Sequence, residues 1–178
     1  DMMTTNSDST DPAFLSDNAI DRLQDQRLRH HLDYCLTHSP YYRKRLDRIR
    51  GAVGDFDTRC LAQLPLTSTG DIEAQNDAFL SVSDTSVADI VLSSGTTGRP
   101  TRIMYTRGDL ERIAYCEARA LAGCGITKDD RVLLTCTMDR CFIAGLAYFS
   151  GLHRIGAAII RGGQGTLESH MALVRRLE

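Results

Sequence analysis

The sequence predicts an α/β fold in which a parallel sheet with crossover helices follows a helical N-terminal segment. Three observations carry this. Short apolar, β-branched runs occur at Val87 to Leu92, Arg131 to Cys136 and Ala157 to Ile160. Two long helical patterns, roughly Arg107 to Cys124 and Cys141 to Ile155, separate them, with Gly123, Gly125 and Gly156 as stop signals. Strands that alternate with helices imply right-handed crossovers and parallel pairing. Upstream, Ile20, Leu23, Leu28, Leu32 and Cys35 recur at helical spacing, which makes the first part of the chain mainly helical.

Residues 1–17 are polar and hydroxyl-rich and read as a disordered tail, because they offer little apolar surface against the entropy of ordering. A helix starts at the capping residues Asp17 or Asn18 and stops near Ser39 and Pro40. "YYRKRLDRIRGAVG" predicts a second short helix ending at Gly51, and "LAQLPLTSTGDI" a proline-marked connection with a helix start at Thr69 to Asp71. These elements form a helical segment over 18–84, followed by an α/β subdomain over 85–178. After Gly165, Thr166 caps an apolar pattern of Leu167, Met171, Val174 and Leu177 that meets no stop signal before Glu178, as expected of a chain that ends mid-architecture.

Composition narrows the function. With 21 basic and 23 acidic residues the net charge is -2, which gives no field for gathering nucleic acid or an anionic membrane. No run of about 18 apolar residues is present for a transmembrane helix. The six cysteines, at 35, 60, 116, 124, 136 and 141, form no Cys-x-x-Cys pair and read as buried small hydrophobes rather than zinc ligands, so no metal site is assigned to protein side chains. With no secretory signal in "DMMTTNSDSTDP", a reducing, cytoplasmic setting is expected. His30, His31, His38 and His153 have no nucleophile in context, and the basic run "YYRKRLDRIR" reads as a solvated helix face.

The most informative stretch is "LSSGTTGRPT", Leu92 to Thr101. After a strand, Gly95 and Gly98 let backbone amides converge, and Ser93, Ser94, Thr96 and Thr97 add hydroxyl donors, a set suited to phosphate oxygens. No Gly-Lys-Ser/Thr follows, so this is not a Walker A loop. From composition alone a polar surface turn accounts for it equally well. "RGGQGTLE" has a Gly-x-Gly before a helix, but Glu168 replaces the third glycine of a dinucleotide fingerprint, and a turn is the reading.

"SSGTTGRPT", followed by "YTRGDL", resembles the phosphate-binding loop of the adenylate-forming enzymes, and Thr101 after the proline is similar to their phenylacetate–CoA ligase branch, where other branches have lysine. "HSPYYRKRLD", "LPLT" and "FIAGLAYFSGLHRIGAAII" resemble further stretches of that family in the correct order, so that the likeness runs from about Leu23 to Glu178. The resemblance implies an ATP-dependent ligase. A small-molecule carboxylic acid, aromatic in that branch, would be converted to an acyl-adenylate, and coenzyme A would then displace AMP. It implies that Ser94, Thr96 and Thr97 hold the β- and γ-phosphates, that Mg²⁺ bridges these, and that Arg99 supplies a cation. Ser93 either joins the donors or caps the strand; Gly95, Gly98 and Thr101 complete the site.

The chain also departs from the family. Met138, Asp139 and Arg140 replace an aromatic Gly-Tyr-Gly-like segment, leaving Phe142, Ile143 and Gly145 as either pocket-lining or core positions. The family's adenine and ribose motifs and its catalytic lysine have no counterpart in these 178 residues. No catalytic residue is therefore assigned, and the chain reads as an N-terminal portion expected to be inactive by itself. Two other readings stand beside it: a catalytically inactive nucleotide-binding or regulatory module, and an enzyme that loads a carrier protein in place of coenzyme A. Nucleic acid and membrane are not expected partners; a homodimer stays open.

Overall fold

The computed structural model of this protein describes residues 12–93 and 101–177. The chain divides into two compact units, Asp1–Ser81 and Val82–Glu178.

In the first unit a 3-10 turn at Pro12–Phe14 precedes α1, Asp17–His38; residues 1–11 of the expected tail lie outside the described residues. Helix α1 buries Leu32, Cys35 and Leu36 against Leu46, Ile49 and Phe56, with Leu28, Tyr42 and Val53 packed around them. The second helix departs from expectation: α2 spans only Pro40–Arg45, and the chain continues as a 3-10 helix over Asp47–Asp55, past Gly51. "HSPYY" turns out to be a helix start. Ser39, fully buried, caps α2 by accepting from the Tyr42 amide (3.3 Å) while its hydroxyl donates to the Ala78 carbonyl (3.3 Å). Pro40 occupies the first turn, where its missing N–H costs nothing. Tyr41 then stacks on Phe79 at 4.0 Å between ring centroids, and the Tyr42 hydroxyl meets Thr67 Oγ1 at 2.9 Å. Helix α3, Thr69–Ala74, opens with a capping box between Ser68 and Asp71, as the hydroxyl-then-acid spacing predicts.

In the second unit Val87–Leu92 is a strand, β1, but its pairing corrects the expected parallel sheet. It joins β2, Arg102–Thr106, in an antiparallel hairpin with Leu92 opposite Arg102. The physical reason is connection length: parallel neighbours need a crossover of about a dozen residues or more, whereas antiparallel ones need only a short loop. β2 itself was hidden in the sequence behind the glycine-rich stretch. It runs directly into α4, Arg107–Gly123, through a capping box in which Thr106 and Asp109 exchange hydrogen bonds. The expected strand–helix–strand unit is present downstream. β3, Arg131–Leu134, and β4, Ala158–Arg161, pair in parallel from Arg131 opposite Ala158 to Leu134 opposite Arg161, with α5, Ile143–Ile155, between them in the chain. Among the described residues the strands thus form two separate pairs, not one sheet. Helix α6, Leu167–Leu177, follows.

Ala118, Leu152, Ile155 and Ala157 form the core of this unit, with Leu121, Val132 and Ile159 around it. Gly151 lets α4 and α5 approach closely: a Cβ there would stand 2.5 Å from Glu117 Cβ. The cysteines correct another expectation. Cys35 is buried, but Cys116, Cys124 and Cys141 are exposed, and all six are free thiols. No described helix is long and apolar enough to cross a membrane.

Candidate functional site

The glycine-rich loop departs from β1 and returns to β2, and its two feet are tied together. The Ser93 amide donates to the Thr101 carbonyl (2.9 Å), and the Thr101 amide donates to Ser93 Oγ (2.8 Å). Ser93 Oγ therefore accepts within the protein, at the base of the loop. Ser94, Gly95, Thr96, Thr97, Gly98 and Arg99 lie outside the described residues.

Thr101 is 8% exposed, and its hydroxyl has no hydrogen-bond partner. A buried hydroxyl without a partner costs about 1–3 kcal/mol. A threonine kept in that state at the foot of a donor-rich loop fits a site that takes an anion, since the bound oxygen would satisfy it.

Next to this base lies the segment from β3 to α5. The Leu92 amide donates to the Cys141 carbonyl (3.2 Å), which ties the end of β1 to it. The segment is a folded turn: the Thr137 hydroxyl is hydrogen-bonded to the Asp139 carboxylate, the Asp139 amide donates back to Thr137 Oγ1 (3.3 Å), and the Phe142 amide donates to the Asp139 carbonyl (3.2 Å). Arg140 and Cys141 are both left-handed, at φ 56° and 57°, a conformation that costs L-residues roughly 1–2 kcal/mol. Arg140 falls in the Met138 to Arg140 stretch where the resemblance places a glycine-bearing segment, and Cys141 follows it.

Around the C-terminal end of β3 is a cleft of about 450 Å³, lined by Leu133, Leu134, Thr135, Cys136, Thr137 and Phe142, with Tyr148 of α5 and Gln164 from the loop after β4. Ligands of parallel α/β sheets collect at this end of the strands. Of the three positions singled out in the sequence, Phe142 lines the cleft. Gly145 does not; it is buried against the chain, where a Cβ would stand 1.9 Å from the Thr137 carbonyl oxygen. Ile143 is not among the lining residues. The sequence reading missed Thr135, Cys136, Thr137, Tyr148 and Gln164. The available signal was positional: residues just past two consecutive parallel strands share one edge.

Among the described residues the lining offers hydroxyl, thiol, phenol and carboxamide groups and no carboxylate, imidazole or amine. Among the described residues no group of three or more His, Cys, Asp or Glu side chains could hold a metal ion.

No family model matches the chain. It is 31% identical over 159 residues to the phenylacetate-coenzyme A ligase of Escherichia coli (strain K12), covering 88% of this chain and 36% of that enzyme. It is 32% identical over 162 residues to the ligase of the same name from Pseudomonas putida, covering 89% and 36%. In fold it is similar to a crystal structure of 2-hydroxyisobutyryl-CoA ligase in complex with 2-HIB-AMP and CoA, with a TM-score of 0.79 over 92% of this chain and 36% of that one, at 23% identity. The chain thus spans little more than a third of the length of the relatives it matches. By this similarity it resembles an N-terminal part of the phenylacetate-coenzyme A ligases.

Proposed function

We propose that the full-length gene product is an ATP-dependent acid–CoA ligase, to which this chain contributes the phosphate loop and a wall of the acid cleft. In the first half-reaction a carboxylate oxygen attacks the α-phosphorus of ATP and pyrophosphate leaves with the electron pair of the broken P–O bond. In the second the thiol sulfur of coenzyme A attacks the acyl carbon, AMP leaves, and the thiol proton is lost. Hydroxyls and amides from Ser94, Thr96 and Thr97 would bind the phosphates, where charge accumulates during the first step, and Arg99 would add a cation. Thr101 would supply the reserve hydroxyl, with Ser93 accepting from its amide at the base of the loop. Mg²⁺, if bound with the nucleotide beside this loop, would supply charge neutralisation of the phosphates. The cleft beside the loop base receives the acid.

The observation that supports this reading is a donor-rich sequence whose described ends, Ser93 and Thr101, are hydrogen-bonded to each other beside an unpartnered buried hydroxyl, in a chain similar over most of its length to acid–CoA ligases. The test separates the half-reactions. Replacing Thr96 and Thr97 by alanine in the full-length product should lower acid-dependent exchange of pyrophosphate into ATP about a hundredfold. Thioester formation from preformed acyl-adenylate should fall much less, because pyrophosphate has already left. Equal losses in both steps, or none in either, would remove the loop from this role. The 178-residue chain by itself, without the adenine and ribose motifs, should not support the exchange.

A further inference from the structure

The cleft has a side chain presented to it by a turn that is otherwise difficult to explain. After β4 the Gly162 and Gly163 amides both donate to the Leu134 carbonyl, each at 3.0 Å, and His170 Nε2 donates to the Gly163 carbonyl at 3.0 Å. Gly162 has no room for a side chain, since a Cβ would stand 2.8 Å from Leu133 Cδ1, and Gly163 is left-handed at φ 61°. The turn is thus pinned to the end of β3 and latched from α6, and the residue it delivers to the cleft is Gln164. Its carboxamide, which carries both donors and an acceptor, makes no hydrogen bond among the described residues, whereas Thr137 in the same wall is committed to Asp139. Leu133, Leu134 and Phe142 give the cleft an apolar side, and at about 450 Å³ it sits toward the small end of ligand pockets, which run about 300–1,000 Å³.

We propose that Gln164 determines acid specificity: its carboxamide hydrogen-bonds a polar substituent, such as a hydroxyl, on a small acid whose hydrocarbon part rests on Phe142 and the leucines. This rests on the ligase reading above. Gln164 is exposed in the ligand-free chain, so water pairs its carboxamide when the hydroxyl is absent, and the preference is that of one net hydrogen bond, a few-fold to about tenfold. The test uses the full-length gene product and two matched pairs of acids, 2-hydroxyisobutyrate with isobutyrate and 4-hydroxyphenylacetate with phenylacetate, following AMP release. The unmodified protein should favour the hydroxylated member of at least one pair by about threefold to tenfold in kcat/KM. Gln164→Leu should bring that ratio to about one by lowering only the hydroxylated acid, and Gln164→Glu, which keeps an acceptor for the substrate hydroxyl, should retain part of it. No preference in either pair, or an equal loss for both members in Gln164→Leu, overturns the inference while leaving the ligase reading intact. If no acid of any kind supports AMP release from the unmodified protein, the ligase reading fails first and this inference with it.

Discussion

The two units bury their residues in different ways. The unit Asp1–Ser81 is tied by side chains reaching backbone and polar groups far along the sequence. Arg29 Nε donates to the Phe56 carbonyl at 2.7 Å, Asp25 accepts from both the amide and the hydroxyl of Thr58, and Arg48 donates to the Gln63 carbonyl at 2.8 Å. Its 3-10 segments offer few regular backbone bonds, and these side chains stand in for them. The unit Val82–Glu178 is held by secondary structure around a small core, and it keeps Ile90, Leu92 and Ile103 of the hairpin and Leu167 and Met171 of α6 exposed. The contrast lies in how polar groups are used: the first unit pairs them across long stretches of sequence, whereas the second leaves the Thr101 hydroxyl and, among the described residues, the Gln164 carboxamide without a hydrogen bond.

Leu36→Ala in the first unit should cost about 2–5 kcal/mol; hydrogen exchange should rise within Asp1–Ser81 and remain nearly unchanged in Val82–Glu178. A uniform rise across both would show that the two units unfold together. Gly145→Ala pushes a methyl into the Thr137 carbonyl and should lower stability by about 1–3 kcal/mol, read as a lower thermal midpoint. If the midpoint holds, the turn beside the cleft is more yielding than its close contacts imply.

Thr101→Val should move two readouts in opposite directions. Removing the orphaned hydroxyl should stabilise the ligand-free protein by about 1 kcal/mol, while the stabilisation that ATP gives the full-length product should shrink. A valine variant less stable than its parent without nucleotide would show that the hydroxyl already has a partner. Arg140→Gly relieves one left-handed residue at the cost of chain entropy and should stabilise by about 0.5–1 kcal/mol, seen as a higher denaturation midpoint with the pyrophosphate exchange retained.

The smallest effect belongs to Asp57 in the first unit. Hydrogen bonding from the Arg59 side chain holds its carboxyl down at about 2, against the opposing pull of desolvation. Because the folded value lies below the unfolded one, the stability it contributes is present above the ordinary aspartate range near 3.9 and is lost as pH falls toward 2. Asp57→Asn should flatten that acid limb, and a carboxyl titration by NMR with a midpoint near 4 would show the pair to be open in solution.

Most helices were legible because their signals are local. The cap and apolar spacing of α1, the start of α4 at Arg107, the glycine after α5 and the Thr166 start before α6 all lie within a few residues of the elements they specify. Val87–Leu92 was likewise legible as a strand, since a β-branched run carries its own propensity. Its partner was not, because pairing direction depends on which residues return to meet it, and β2 lay behind a stretch read as loop. From residue types alone Ser94 to Arg99 suited a phosphate site and a polar turn equally, and it was the family resemblance that weighted the reading toward phosphate. Only the tertiary structure decided that Ser93 Oγ accepts from the Thr101 amide, that the Thr101 hydroxyl is buried without a partner, and that the turn carrying Gln164 is fastened to the end of β3. Those are relations between residues brought together by folding, and a linear pattern fixes the identity of a side chain without fixing what it will face.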